Sequence, residues 1–295
     1  MEFSILSEMK KALKYFILLP LMGFLLAGCQ KDVTLNVPNP PPEIVLEGHI
    51  EPNQSPYLYV SHNFAFFGST TIHTILSQDV VHGAKVAVTD GITTDTLREI
   101  IPSIGYYQAF HIIGVVGRTY KLTVVAEGQT LTASTTMLQP VPLDSVWFQV
   151  QPGFDTLGYM WATFHDPPQP GNNYRWLAER LGKDTTFVPP RESVFNDAII
   201  NGQKFTFYYE RGIFPGSNAN DDTDAERHYF KKGEKVVVKF CTIDNLAYNF
   251  YNEYYFQQGN NDNPFGSPAP VQGNITGGLG IWCAYASVLD TVICK

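Results

Sequence analysis

The sequence predicts a mostly β chain made of two antiparallel sandwich-like domains, the second carrying at least one helix. Three observations lead there. Short alternating apolar and polar segments recur from residue 43 to the end, Gly, Pro and Asp punctuate them, and only residues 245–258 have a helical character. With 44% hydrophobic and 14% aromatic residues, the chain has enough apolar surface for sizeable cores.

The first element precedes the fold. Lys10, Lys11 and Lys14 form a basic start, Tyr15 to Leu26 is almost wholly apolar, and Ala27 and Gly28 are small residues of the kind a signal protease accepts. This apolar core is shorter than the roughly 20 residues a spanning helix needs, so residues 1–28 read as a signal peptide. Met9 is the better start, because Glu2 and Glu8 dilute the basic end. Leu26-Ala27-Gly28-Cys29 resembles the bacterial lipobox, which implies that Cys29 is lipidated and becomes the new amino terminus. Each buried acyl methylene contributes about 0.8 kcal/mol, so a multiply acylated cysteine holds firmly to a membrane. Gln30, Lys31 and Asp32 resemble the export signal of Bacteroidota lipoproteins, with one acidic residue where that pattern carries two or more. The expected location is the outer membrane, facing outside the cell, with its periplasmic face as the alternative. VTLNVPNPPP at 33–42 then favours an extended tether, making 29–42 the anchor segment.

Residues 43–139 form the first predicted domain, immunoglobulin-like or transthyretin-like. Its strand candidates are EIVLEGHI, YLYVSH, AKVAVTD, DTLREI, YYQAF, TYKLTVVAE and QTLTASTT, with breaks at Asp90-Gly91, Gly105, Gly117 and Gly128. Val86 and Val88 share one strand face while Lys85 and Thr89 share the other, the signature of half burial. PVPL at 140–143 marks the boundary, since proline cannot donate to a ladder. Residues 140–295 form the second domain, with strands DSVWFQV, GYMWATF, NYRWLAER, KFTFYYE, EKVVVKFCTI and GLGIWCAYA. In NYRWLAER, Tyr174, Trp176 and Ala178 share an inward face. Asp244-Asn245 caps the helix; on it Ala247, Phe250, Tyr254 and Gln258 lie along one stripe and Tyr248, Tyr251 and Tyr255 along the next.

Composition narrows the chemistry. Cleavage before Cys29 removes three of the 20 basic and two of the 28 acidic residues, leaving a formal charge of −9. A nucleic-acid face needs clustered Lys and Arg that this chain lacks. Beyond Cys29 there are Cys241, Cys283 and Cys294; a turn centred on Val288 and Leu289 would set Cys283 opposite Cys294 and allow a disulfide, with Cys241 in the rival pairings. Neither CxxC nor Cys/His metal spacing occurs, and no cofactor is indicated. Asp222, Asp224 and Glu226 alternate as calcium ligands do, but Arg227 stands where the sharp-turn glycine belongs, so a solvated acidic loop is the preferred reading. No GxSxG or HExxH is present, and the seven histidines are scattered. Gly277-Gly278-Leu279-Gly280 precedes a strand and lacks a following Lys-Ser/Thr, which points to close backbone packing rather than phosphate binding. Trp147, Trp161, Trp176 and Trp282, with the cluster Tyr248, Tyr251 and Tyr255, are either core or stacking platforms for a sugar or apolar ligand, and core is favoured.

Taken together, the lipobox, EIVLEGHIEPNQSPYLYVS, GAKVAVTD, GRTYKLTV, LDSV, FNDAIINGQKF and NPFGSPAPVQGNITGGLGIW resemble the Bacteroidota lipoproteins grouped as domain of unknown function 4249, over essentially the whole mature chain. That resemblance carries no catalytic residues. Members are commonly encoded beside TonB-dependent outer-membrane receptors, which implies an accessory role in nutrient capture. The function expected is therefore a non-catalytic binding or accessory module on a lipid anchor, with a TonB-dependent receptor as the partner the resemblance implies. An adhesion or envelope-scaffold protein is the alternative, and an extracellular glycan- or peptide-acting enzyme the minor one.

Overall fold

A computed structural model describes residues 42–63, 80–213, 226–260 and 271–295. Cys29 and the segment Gln30, Lys31 and Asp32 lie outside them. Alternation builds the first sheet. β1 (Ile44–Ile50), β2 (Tyr57–His62), β3 (Lys85–Thr89), β4 (Thr94–Ile101), β5 (Tyr106–Gln108), β6 (Thr119–Ala126) and β7 (Gln129–Thr136) each bury every second residue, as in β6, where Tyr120, Leu122, Val124 and Ala126 point inward. Between β6 and β7, Glu127 (φ 50°) and Gly128 (φ 76°) form a two-residue turn whose positive φ angles match the twist of the hairpin.

The sheet is completed from the far end of the chain. β15 (Leu279–Ala284) lies parallel to β1, giving the order β15-β1-β2-β5-β4-β3-β6-β7. Thr132 of β7 bridges Thr276 just before β15, so the eight strands curl around one core. Glycine makes this junction possible: Gly280 has φ +104°, and a Cβ there would sit 2.0 Å from the Leu46 carbonyl oxygen. The close backbone packing expected of the Gly277–Gly280 stretch is thus found at Gly280.

Two further four-stranded sheets pack face to face. One contains β8 (Leu143–Val150), β9 (Leu157–His165), β12 (Lys204–Tyr209) and β13 (Phe230–Lys231); the other runs β11 (Val194–Asn196), β10 (Asn173–Arg180), β14 (Lys235–Ile243), β16 (Ala286–Ile293). Phe164, Tyr174, Trp176 and Phe240 fill the space between them, Tyr174 stacking on Phe240 at 5.1 Å. The mostly β, sandwich-like architecture matches the expectation. Met137 belongs to the first core and Val141 to the second, but Ile275, Trp282, Ala284 and Ala286 from the far end of the chain join the first core, and β15 returns to β1.

The expected Cys283–Cys294 bridge needs correction. β16 continues unbroken through Val288 and Leu289, which pair with Phe240 and Lys239, so the hairpin turn is absent. Cys283 lies in a third small core and Cys294 in the second, and Cys241, Cys283 and Cys294 are all free and buried. Burial pushes the Cys283 and Cys294 thiols up to about 12, which leaves both protonated and poorly nucleophilic.

A buried ionic cluster joins the eight-stranded sheet to the β11-β10-β14-β16 sheet. Glu51, 4% exposed at the end of β1, pairs with Lys239 Nζ of β14 at 2.5 Å and accepts bonds from His49 (3.1 Å) and Ser287 Oγ (2.9 Å). Burial would raise the Glu51 carboxyl, but the His49 bond and the Lys239 charge outweigh it and hold it at about 2. Asp95 behaves likewise: the His111 ring and the backbone N–H groups of Phe110, His111 and Ile112 overcome burial and lower it. Burial also lowers His49 below its ordinary 6.5. In acid, the unfolded chain binds protons at these sites before the folded one does. Stability therefore declines as pH falls below 6.5 through His49, then more steeply from about 4.5 towards 2 through Glu51 and Asp95. Thermal melts across pH 7 to 2.5 check this, and Asp95→Asn should flatten the acid limb.

Candidate ligand-binding cavity

The helix α1 (Asn245–Asn260) positions the site. Asp244 caps it, its Oδ1 accepting the Ala247 N–H at 2.8 Å while Oδ2 accepts Thr135 Oγ1 at 2.9 Å from β7. Ala247 and Tyr251 are buried, and tyrosine hydroxyls fasten this face to the sheets: Tyr248 accepts from Asn196 Nδ2 (3.1 Å), Tyr255 from Ser193 Oγ (2.8 Å), and Tyr251 bonds Tyr285 (2.6 Å). The helix therefore lies across β10, β11 and β15.

Beside it opens a cavity of about 700 Å³, within the range of small-molecule sites. Phe250, Tyr251, Tyr254 and Tyr255 form its helical wall, and Pro189, Pro190 and Gly212 stand on another side. Gly212 permits that wall, since a Cβ there would meet the Pro189 carbonyl oxygen at 2.2 Å. Charged groups of both signs line it: Arg175, Arg191 and Arg211 with Glu47 and Glu210, Glu210 being paired to His228 at 3.3 Å.

Arg175 is the unusual member. It sits on β10 at 7% exposure, its guanidinium 3.4 Å from the Tyr251 ring centre and bonded to the hydroxyls of Tyr285 and Tyr255. Its Nε has no hydrogen-bond partner, and among the described residues no carboxylate pairs with it. Burial holds the Tyr251 and Tyr285 hydroxyls well above their ordinary value, so they remain neutral.

Of the residues singled out from sequence, Tyr251 and Tyr255 line this cavity, whereas Tyr248 is turned to Asn196. Asp222 and Asp224 fall outside the described residues, and Glu226 pairs with Lys231 at 3.4 Å; among the described residues no acidic, His or Cys cluster is fit for a metal. Trp176 and Trp282 are core, at 1% and 0% exposure. Trp147 and Trp161 instead join an outer ladder, stacked at 6.0 Å and continuing through Tyr208, Tyr159 and Tyr229 to Phe154. Sequence reading missed Arg175, although an arginine inside the otherwise aromatic and aliphatic stretch YRWLA at 174–178 was a signal that both faces of that strand are covered.

These features define a class: a mostly β protein of curled and stacked sheets, antiparallel but for the β1–β15 pair, with a cavity walled by aromatic rings and guanidinium groups. The chain belongs to the family described as Domain of unknown function (DUF4249), which matches residues 30–289. No curated protein matches it. Among solved structures it is similar to the two fibronectin type-III domain segment from chicken tenascin, at 10% identity and a TM-score of 0.22, over 70% of this chain and 93% of that one.

Proposed function

We propose that this protein is an outer-membrane lipoprotein, held at the outer face through Cys29, that captures a ligand as a non-catalytic accessory module of a TonB-dependent uptake system. The cavity beside α1 carries the binding part of this reading: it is large enough for a small organic molecule, its helical wall is fixed by tyrosine hydroxyl bonds, and it combines apolar rings with charged groups. The lipobox-like Leu26–Cys29 stretch and the short Lys-Asp segment after it support the address. Affinity purification of the lipidated protein from its native outer membrane tests the reading. A TonB-dependent receptor should co-purify, and Cys29→Ser should abolish both membrane attachment and the association; a Cys29 found unmodified by mass spectrometry would remove the anchor. Glu47 and Glu210 on the same lining favour, as a second reading, a hydrolase of extracellular polymers, for which turnover on a mixed glycan and peptide panel is the check.

A further inference from the structure

We infer that the cavity beside α1 binds a small organic acid, with its carboxylate on the Arg175 guanidinium and its body against the rings of Phe250 and Tyr254. The inference rests on the binding reading above and adds the ligand's chemical class. Its starting point is an imbalance of charge. A buried guanidinium is costly unless paired, and here neutral tyrosine hydroxyls and ring faces surround it while Nε is unbonded. Such an arrangement holds an arginine in place without using up its capacity for an anion. Guanidinium is also the group best shaped for a carboxylate, which it can grip through two parallel N–H bonds.

The rest of the cavity limits what the anion is attached to. Phe250 and Tyr254 lie nearly parallel, 5° apart at 6.4 Å, and offer flat apolar faces to a sugar ring or an aromatic ring. The Pro189-Pro190 pair on the lining is stiff, so less order has to be imposed when a ligand enters.

The test uses the full-length protein in detergent and two matched pairs of probes, each acid a monoanion: galacturonate with its methyl ester, and N-acetyltyrosine with its amide. Titration calorimetry should show at least one acid binding, with its uncharged counterpart roughly 10- to 100-fold weaker, the range of a charge-assisted hydrogen bond. Arg175→Met should erase that preference and melt at or above the temperature of the parent, because Tyr251 and Tyr285 keep each other and Tyr255 keeps Ser193. Arg175→Lys should retain part of the preference. Equal binding of the uncharged probes overturns the acid class while leaving capture intact, and so does equal competition by inorganic phosphate. No acid binding up to about 10 mM overturns the inference. Misfolding or a melt several degrees lower for Arg175→Met would make the arginine a structural group, and the inference would fall; receptor co-purification separately decides the accessory role.

Discussion

Lys239→Met should destabilise the protein by about 3–5 kcal/mol, because it leaves the Glu51 carboxylate buried without its cation. Methionine is close to lysine in length and can still cover Phe187, over whose ring the ammonium now sits at 4.0 Å, so the loss would come from charge rather than packing. Glu51 would keep His49 and Ser287, and protonation would be its way out: with the folded carboxyl no longer held low, the fall in stability from about 4.5 towards 2 should shrink, and the substitution should cost less in acid than at neutral pH. The double variant Glu51→Gln with Lys239→Met should recover most of the loss, since glutamine retains hydrogen-bonding atoms and no isolated charge remains. Chemical denaturation of the four proteins in the cycle measures the coupling. Additive losses would show that the pair contributes nothing by being paired.

Trp282→Ala should cost a similar 3–5 kcal/mol, the usual range for truncating a wholly buried tryptophan. The residue lies on β15 but belongs to the first core, and its indole Nε1 donates to the Tyr120 carbonyl at 3.2 Å across that core. Asn274 clamps its backbone from outside, accepting the Trp282 N–H at 2.9 Å and donating to its carbonyl at 2.6 Å. Removing the indole should therefore loosen β15 from β1 as well as lower the melting temperature, and hydrogen exchange at Leu279–Ala284 should report that loosening. Trp147→Ala is the control. Its half-exposed ring lies on the outer ladder, and its loss should stay near 1 kcal/mol.

The two variants probe what was hard to read along the chain. Strand identity was legible wherever burial alternates: Ile44, Leu46 and Ile50, or Tyr120, Leu122 and Val124, declare their own faces. The helix was legible from Asp244 and the tyrosine stripe, and its cap is made as the residue types suggest. Partnership was less so. Val288 and Leu289 read as the centre of a turn that sets Cys283 opposite Cys294, yet 286–293 is a single strand whose neighbour is β14, more than forty residues earlier. β11 and β13, of three and two residues, are too short for any periodic signal.

The cavity divides the same way. Tyr251 and Tyr255 stood out as an aromatic stripe, while Arg175 was passed over beside Tyr174 and Trp176, because one strand face was read and the other was left open.

Local chemistry along the chain settled the predominance of strands, the capped helix and the turn glycines, since each depends on a residue and its near neighbours. The address expected from Cys29 rests on the same kind of local pattern. Packing settled the rest: β15 beside β1, the separation of Cys283 from Cys294, and an arginine enclosed by Tyr251, Tyr255 and Tyr285. Those contacts join residues as far apart as Val45 and Leu279, and which of many apolar faces meets which is decided by the joint fit of all of them.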